Sequence, residues 1–560
     1  MRKPVIVIGL DSAEPSQIEQ WMSEGHLQNL RKLREQGAYG RLQNFEYCSA
    51  ETPWTTFLTG CSPQTVGYWS PIRLKEGTYS PAAVAAYDFS EYAPFYALGD
   101  DYKVAIFDMP QARISNNVNG LQMLAWGAHS PQGPSESKPA QLFQEIVDQY
   151  GNNPGLHNDS AQFLDMQSVE RLRGILKTGI SRQSQICQDL IQRDRWDLFL
   201  TVFGAPHSIG HFLLHLSQKN HPLYKYYGAK LAKDPVLDLY EDIDRSIGEI
   251  LAKAPEDAYI VVFAAHGMGP NTMDLPSIAF LPELLYRYSF PGKYGIARGD
   301  MEQPVPEPIL ECNRGYWVWE SWSQKYDPNP IRRFLRRRAP YGLFKRIERF
   351  LGPKPNPDLM SPMEIGERKA AGDPDAIVPF QPAMWFKPFW PQMKAFALPS
   401  FSEGYIRINL KGREPNGIVE PADYHTVCDE ISEKLYALKD ARKGIPMVKK
   451  ILRPRTNPND PNPKLPDADM IIIWQDEYAT DTVDSPDFGR IGPLPHFRAG
   501  SHRTQGFIAA SGPGIAASST LETAHALDLA PTVLDLMNAP IPEHFEGKPI
   551  PLREVSMIAP

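Results

Sequence analysis

The sequence predicts an α/β fold, a mostly parallel central sheet with helices on both faces, carrying an inserted cap. Three observations predict it: short apolar runs recur far apart, amphipathic stretches of helical period lie between them, and one long segment breaks the alternation. The runs are "PVIVIGL" at 4–10, "KVAIFDM" at 103–109, "DLFLTVFG" at 197–204, "AYIVVFAAHG" at 258–267, "MIIIWQ" at 470–475 and "GFIAASGPGI" at 506–515. Runs this short and this continuously apolar read as strands buried on both faces, the condition of a sheet covered by helices. "PVLDLYEDIDRSIGEILAKA", 235–254, is one of the covering helices, apolar along one stripe and charged along the other.

The alternation stops at about 271 and resumes at about 401. We therefore expect a core made of 1–270 with 401–560, and a cap over 271–400 rich in aromatics, arginine and proline. Within the cap, "IRRFLRRRAPYGLFKRIERFLG" sets Arg332, Arg333, Arg336, Arg337, Arg338, Lys345, Arg346 and Arg349 among apolar residues. That pattern fits a basic amphipathic helix, either packed on the body by its aromatics or facing an anion or an anionic lipid. Proline, 54 of 560 residues against an ordinary share of ~5%, predicts rigid irregular connections around the regular core.

Composition excludes several classes. A net charge of −8 gives no basic field for nucleic acid, and no stretch approaches the ~20 apolar residues of a membrane-spanning helix. The five cysteines, Cys48, Cys61, Cys187, Cys312 and Cys428, are scattered without a CxxC pair, which argues against a disulfide framework or a zinc ribbon. The opening "MRKPVIVIGLDSAEP" is too short in apolar residues for a signal peptide and reads as a first strand. A cytoplasmic location is expected.

Ligands of open α/β sheets gather outside the carboxyl ends of the strands. The residues found there are Asp11 after the first run, His207 and His211 after the third, His266 after the fourth, and His502 just before the last. Histidines four apart share one helical face, a weak signal alone. Five carboxylate and imidazole groups at neighbouring strand ends are a stronger one. Such a set suits zinc, with manganese or iron as alternatives, and a catalytic ion keeps one position open for substrate.

In this order, "VIVIGLDSAEP", "ETPWTTFLTGCSPQTVGYW", "HSIGH", "AAHGMGPN" and "GSHRTQGFIAASGPGI" resemble the alkaline phosphatase superfamily, particularly its nucleotide pyrophosphatase/phosphodiesterase branch. The tail "HALDLAPTVLDLMNAPIPEHFEGKPI" is similar to that family's closing segment, so the resemblance spans both ends and most of the chain outside the cap. It implies a metal-dependent hydrolase of small anionic phosphoesters, with a phosphodiesterase or pyrophosphatase expected before a monoesterase. It implies Asp11 as ligand of one ion with His266 beside it, and His211 and His502 as ligands of another. Two departures bear on the number of ions: His207 stands where the family carries an aspartate, and Ala265 replaces the aspartate of its Asp-His-Gly. One or two zinc ions, with manganese possible, are the expected cofactors, and Glu51 is a candidate replacement carboxylate.

The resemblance also implies a hydroxyl nucleophile at a helix N-terminus ahead of Thr59-Gly60. A gapless count lands on Ala50, which has no nucleophilic atom, and the neighbouring hydroxyls are Ser49 and Thr52. Thr52 is favoured, because Pro53 suits the first helical position and makes Thr52 the N-cap, with the next amides facing an anion. Direct attack by water at a three-histidine ion, a metal-binding relative with weakened turnover, and an enzyme of specialised metabolism with an altered metal site remain the rival readings.

Overall fold

The computed structural model describes the chain apart from residues 1, 48–51, 86–87, 90, 128–133, 157, 159–165, 297, 311–328, most of 332–381, 497 and 554–560. The expected basic cap helix therefore falls largely outside the described residues, as do Cys312, Ser49, Ala50 and Glu51.

The main sheet is built from β1 (Val5–Leu10), β2 (Ala38–Gln43), β3 (Gly99–Phe107), β4 (Val118–Leu124), β5 (Glu136–Lys138), β6 (Leu198–Phe203), β7 (Tyr259–Ala264) and β8 (Gln505–Ser511). Their order is β2-β8-β7-β1-β6-β3-β4-β5, with the short strand Ser519–Thr520 outside β2. The five strands from β7 to β4 run parallel, flanked by antiparallel pairs, β4 with β5 on one side and β7 with β8 and β8 with β2 on the other, and Ser519–Thr520 adds to β2 in parallel. The expected mostly parallel sheet is present.

Alternate residues of the central strands enter two different cores, because successive side chains of a strand point to opposite faces. Ile6, Ile8 and Leu10 of β1 pack with Val169, Leu172 and Ile180 of one helix and Val236, Leu239 and Ile243 of another. Val5 and Val7 pack on the opposite side with Trp54, Phe57, Leu529 and Val533. Residues apolar on both faces are what such a sandwich requires, and this is why the runs lack polar alternation.

One expected strand lies elsewhere. Met470–Trp474, expected in the same parallel arrangement, sits instead in a separate four-stranded antiparallel sheet with Ala395–Leu398, Gly404–Ile408 and Val448–Leu452. An apolar run reports burial on both faces and carries no information about its neighbours. This second sheet shares one hydrophobic core with Leu281, Leu284 and Leu285, and with Trp385 and Trp390 from the far end of the expected cap. Arg407 on this sheet and Asn409 just beyond its strand are taken up by packing: Arg407 pairs with Glu414 at 2.6 Å, and the Asn409 side-chain amide donates to the carbonyls of Trp390 and Met393.

A buried ion pair anchors the helix Leu281–Ser289. Glu283, fully buried, accepts from Arg287 Nε at 2.6 Å and from the amides of Gly295 and Ile296. Arg287 in turn donates to the carbonyls of Phe488 and Ile296. Removing one partner strands a charge in the interior, which costs about 3–5 kcal/mol. Glu283→Ala is therefore expected to lower unfolding free energy by about that amount. The measurement is guanidinium denaturation at pH 8, above the value of about 7 to which burial raises the Glu283 carboxyl. A loss under about 1 kcal/mol would show the pair to be dispensable.

Candidate metal and phosphoester site

Because β7, β1 and β6 are adjacent and parallel, their carboxyl ends lie side by side. Asp11 follows β1 directly, and its amide donates to Phe203 O, the last carbonyl of β6. After β6 the chain turns at once into the helix Ala205–Leu213, with Pro206 in its first turn, so His207 and His211 fall one turn apart on one buried face. His266 follows β7.

His502 comes just ahead of its strand where the others follow theirs. It lies on the short strand Gly500–Arg503, paired antiparallel with Gly267–Pro270, just before β8. As β8 runs antiparallel to β7, its start lies at the edge where the parallel strands end. Two glycines allow the close approach. A Cβ on Gly210 would meet Met268 Cγ at 2.5 Å, and one on Gly500 would meet the Gly210 carbonyl at 2.3 Å. The histidine helix and the His502 strand thus touch backbone to backbone.

His207, His211 and His502 each offer a ring nitrogen, and these atoms lie within 4.8 Å of one another in a buried cluster. His207 Nε2 and His211 Nε2 are 3.1 Å apart. Tetrahedral nitrogen ligands 2.0–2.1 Å from zinc stand roughly 3.3–3.4 Å apart, so this pair is already near ligand spacing. His211 Nδ1 donates to Gly500 O at 2.7 Å, which turns the Nε2 lone pair toward the cluster. The donor set fits a divalent ion.

Asp11 and His266 form a second layer beside it. The Ser12 hydroxyl stands 2.7 Å from His266 Nε2, 3.3 Å from His502 Nδ1 and 3.2 Å from Asp11 Oδ1. Asp11 Oδ1 also accepts from Trp54 Nε1 at 3.1 Å and lies 3.7 Å from His266 Nε2. Ser12 is fully buried with φ of 60°, a left-handed backbone that costs an L-residue about 1–2 kcal/mol. Strain of this kind collects where the surrounding structure fixes a functional geometry. Thr52 begins the helix Thr52–Thr59 and is 3% exposed; Trp54, two residues on, holds that first turn against Asp11.

Sequence reasoning passes over three participants. Ser12 is visible there only as the residue after Asp11, and nothing in a one-dimensional pattern marks a positive φ. Arg498, four residues before His502, donates through Nε to Asp274 Oδ2 at 2.7 Å and reaches His211 Nε2 with Nη1 at 3.3 Å. Asp274, completely buried, is drawn in by Asn271 Nδ2 at 2.7 Å. Burial pushes the Asp274 carboxyl up, and Arg498 opposes that shift.

Behind the cluster, His221 accepts from Leu223 N at Nδ1 and therefore donates through Nε2 to Ala499 O, bracing the segment that delivers His502. Burial, with His496 and His215 close by, drives the His221 imidazole well below its ordinary value; burial lowers His496 too, with Asp481 opposing and Arg442 reinforcing. Both rings stay neutral in the fold while the unfolded chain protonates near pH 6.5, so their stabilisation is complete above that value and is lost as pH falls below it. Unfolding free energy is expected to fall as pH drops below about 6.5, and His496→Asn should flatten the slope. A variant slope equal to that of wild type would remove His496 from the account.

The model of the type I phosphodiesterase / nucleotide pyrophosphatase family matches residues 5–287, half of the chain, covering Asp11, Thr52, His207, His211 and His266. The chain belongs to this family. It is thus an enzyme of the metal-dependent phosphoester hydrolase type, as the ordered motifs imply. Solved structures similar to it include phosphonoacetate hydrolase from Sinorhizobium meliloti in complex with phosphonoformate, 13% identical over 96% of both chains with a TM-score of 0.47. Murine ectonucleotide pyrophosphatase/phosphodiesterase 5 is 10% identical over 96% of both chains, TM-score 0.45. Wild-type alkaline phosphatase PafA is 13% identical over 99% of both chains, TM-score 0.47. No curated protein matches the chain. Among the described residues no helix is long and apolar enough to cross a membrane.

Proposed function

We propose that His207, His211 and His502 hold one divalent ion, zinc by preference and manganese as the alternative, and that the protein uses it to hydrolyse small anionic phosphodiesters or pyrophosphates. The observation that carries this is the buried convergence of three ring nitrogens within 4.8 Å, on a histidine pair inside the family-matched region. Neutral imidazoles are zinc ligands by preference, and a three-histidine set leaves a position for substrate. An ion held there supplies Lewis-acid stabilisation of the phosphoryl oxygens.

The chain's own groups do the rest in this reading. The Thr52 hydroxyl attacks phosphorus and gives up its proton to water, the new O–P bond forms as the bond to the leaving oxygen breaks, that oxygen leaves as the alcohol or its anion, and water then cleaves the phosphothreonine. Thr52 is supported by its place at the start of a helix whose first turn is tied to Asp11. One ion is favoured over two because, among the described residues, the ligand atoms that lie within 4.8 Å of one another come from His207, His211 and His502 and not from Asp11 or His266. The expected role of Asp11 and His266 as ligands belongs to a second ion. The division into a hydrolase core of 1–270 with 401–560 and a cap over 271–400 is proposed with it. Buried, free Cys61, Cys187 and Cys428 fit a reducing, cytoplasmic location.

The test is elemental analysis of the purified protein, followed by bis-p-nitrophenyl phosphate turnover before and after chelation and with zinc or manganese restored. Turnover should vanish with the ion and return with it. Undiminished turnover in metal-free protein would end the proposal.

A further inference from the structure

Ser12 sits at the cluster on a strained backbone and has no part in the reaction above. Its hydroxyl, fully buried, stands between three groups: Asp11 Oδ1 at 3.2 Å, His266 Nε2 at 2.7 Å and His502 Nδ1 at 3.3 Å. A hydroxyl has one proton to give and two lone pairs with which to receive. A carboxylate only accepts, so a proton given to Asp11 leaves the Ser12 oxygen as acceptor for both rings, and all three contacts are then filled. Giving the proton to either imidazole would turn oxygen lone pairs against Asp11, and the bond to the charged acceptor is the stronger of the two. The count therefore places N–H groups at His266 Nε2 and His502 Nδ1.

In a neutral imidazole, a proton on Nδ1 leaves the lone pair on Nε2. His502 is thereby set to offer Nε2 to the cluster, as His211 is by the bond from its Nδ1 to Gly500 O. We infer that Ser12 is a positioning residue: it links the Asp11 carboxylate to His502 and fixes the tautomer in which His502 can ligate a divalent ion. Asp11 then acts at one remove, through hydroxyl and ring, as the outer carboxylate of a carboxylate–histidine–metal chain. Trp54 Nε1, donating to the same Asp11 oxygen at 3.1 Å, steadies the far end of that chain. The left-handed φ of 60° at Ser12 is kept where it sets this hydroxyl among its three partners. The inference deepens the one-ion reading above and rests on it.

The test uses the full chain in two measurements. Zinc is titrated against a competing chelator in wild type, Ser12→Ala, Asp11→Asn and the double variant. Nitrogen NMR of histidine-labelled, metal-free protein reads the tautomer, with His502 assigned by its loss in His502→Gln. If alanine fails to fold, Ser12→Gly, which suits the left-handed backbone, takes its place. Zinc affinity should fall about 10- to 100-fold in each single variant. The double variant should lose little more than the weaker-binding single one, because both changes break one chain. Metal-free wild type should carry the His502 proton on Nδ1, and Ser12→Ala should show a mixture of tautomers. Zinc affinity within about twofold of wild type in Ser12→Ala overturns the inference, as do fully additive losses in the double variant or a His502 proton held on Nε2. A wild type that takes up no zinc would instead sink the metal reading, and the metal-free spectra then decide Ser12 alone.

Discussion

His211→Ala is expected to lower divalent-ion affinity by more than about 10²-fold and to reduce kcat/KM for bis-p-nitrophenyl phosphate by about 10³-fold or more. Changing an outer partner of a metal ligand typically costs 10–100-fold, so loss of a ligand sets the larger figure. His211 holds the cluster at two points: Nε2 stands 3.1 Å from His207 Nε2, and Nδ1 donates at 2.7 Å to Gly500 O, two residues before His502. Alanine removes a ligand and also unpins the strand that carries another. His211→Gln tests the second effect by restoring a donor toward Gly500. Zinc titration with a competing chelator, read beside turnover, separates affinity from chemistry. Wild-type zinc affinity in His211→Ala, with kcat/KM within tenfold, would show that the cluster is a packing feature.

The parts of this site that are legible in the sequence are those where chemistry and strand order coincide. Asp11, His207 and His266 each follow an apolar run by no more than four residues, and the runs they follow are neighbours, β1, β6 and β7. Their convergence therefore needs only the rule that parallel strands end on one edge. His502 stands out for a weaker reason, since the run it precedes is antiparallel and the short pairing with Gly267–Pro270 has no apolar signature. Ser12 and Arg498 escape a one-dimensional reading because their roles depend on a backbone angle and on a partner 224 positions away. Met470–Trp474 is a strand as its sequence implies, but in another sheet, since MIIIW serves equally in a parallel sheet or a buried antiparallel one.

Thr52→Ala is expected to leave ion content unchanged and to cut bis-p-nitrophenyl phosphate turnover by about 10³-fold or more, the scale at which removal of an attacking group acts. The two variants are complementary: one removes the ion and spares the hydroxyl, the other does the reverse. Stability should change by about 1 kcal/mol or less, since Thr52 is the first residue of its helix and alanine is a good helix former there. Thr52→Ser keeps the oxygen and should keep most of the rate. If the hydroxyl attacks, wild type quenched during turnover carries a phosphoryl group on the peptide containing Thr52, and Thr52→Ala carries none. A rapid first release of p-nitrophenol, one per active site, should precede steady turnover when cleavage of phosphothreonine is the slower step. Near-normal turnover in Thr52→Ala with a full complement of ion would transfer the attack to water, and Asp11, held by Trp54 Nε1 and the Ser12 hydroxyl, would then act by shaping the site in which that water is oriented.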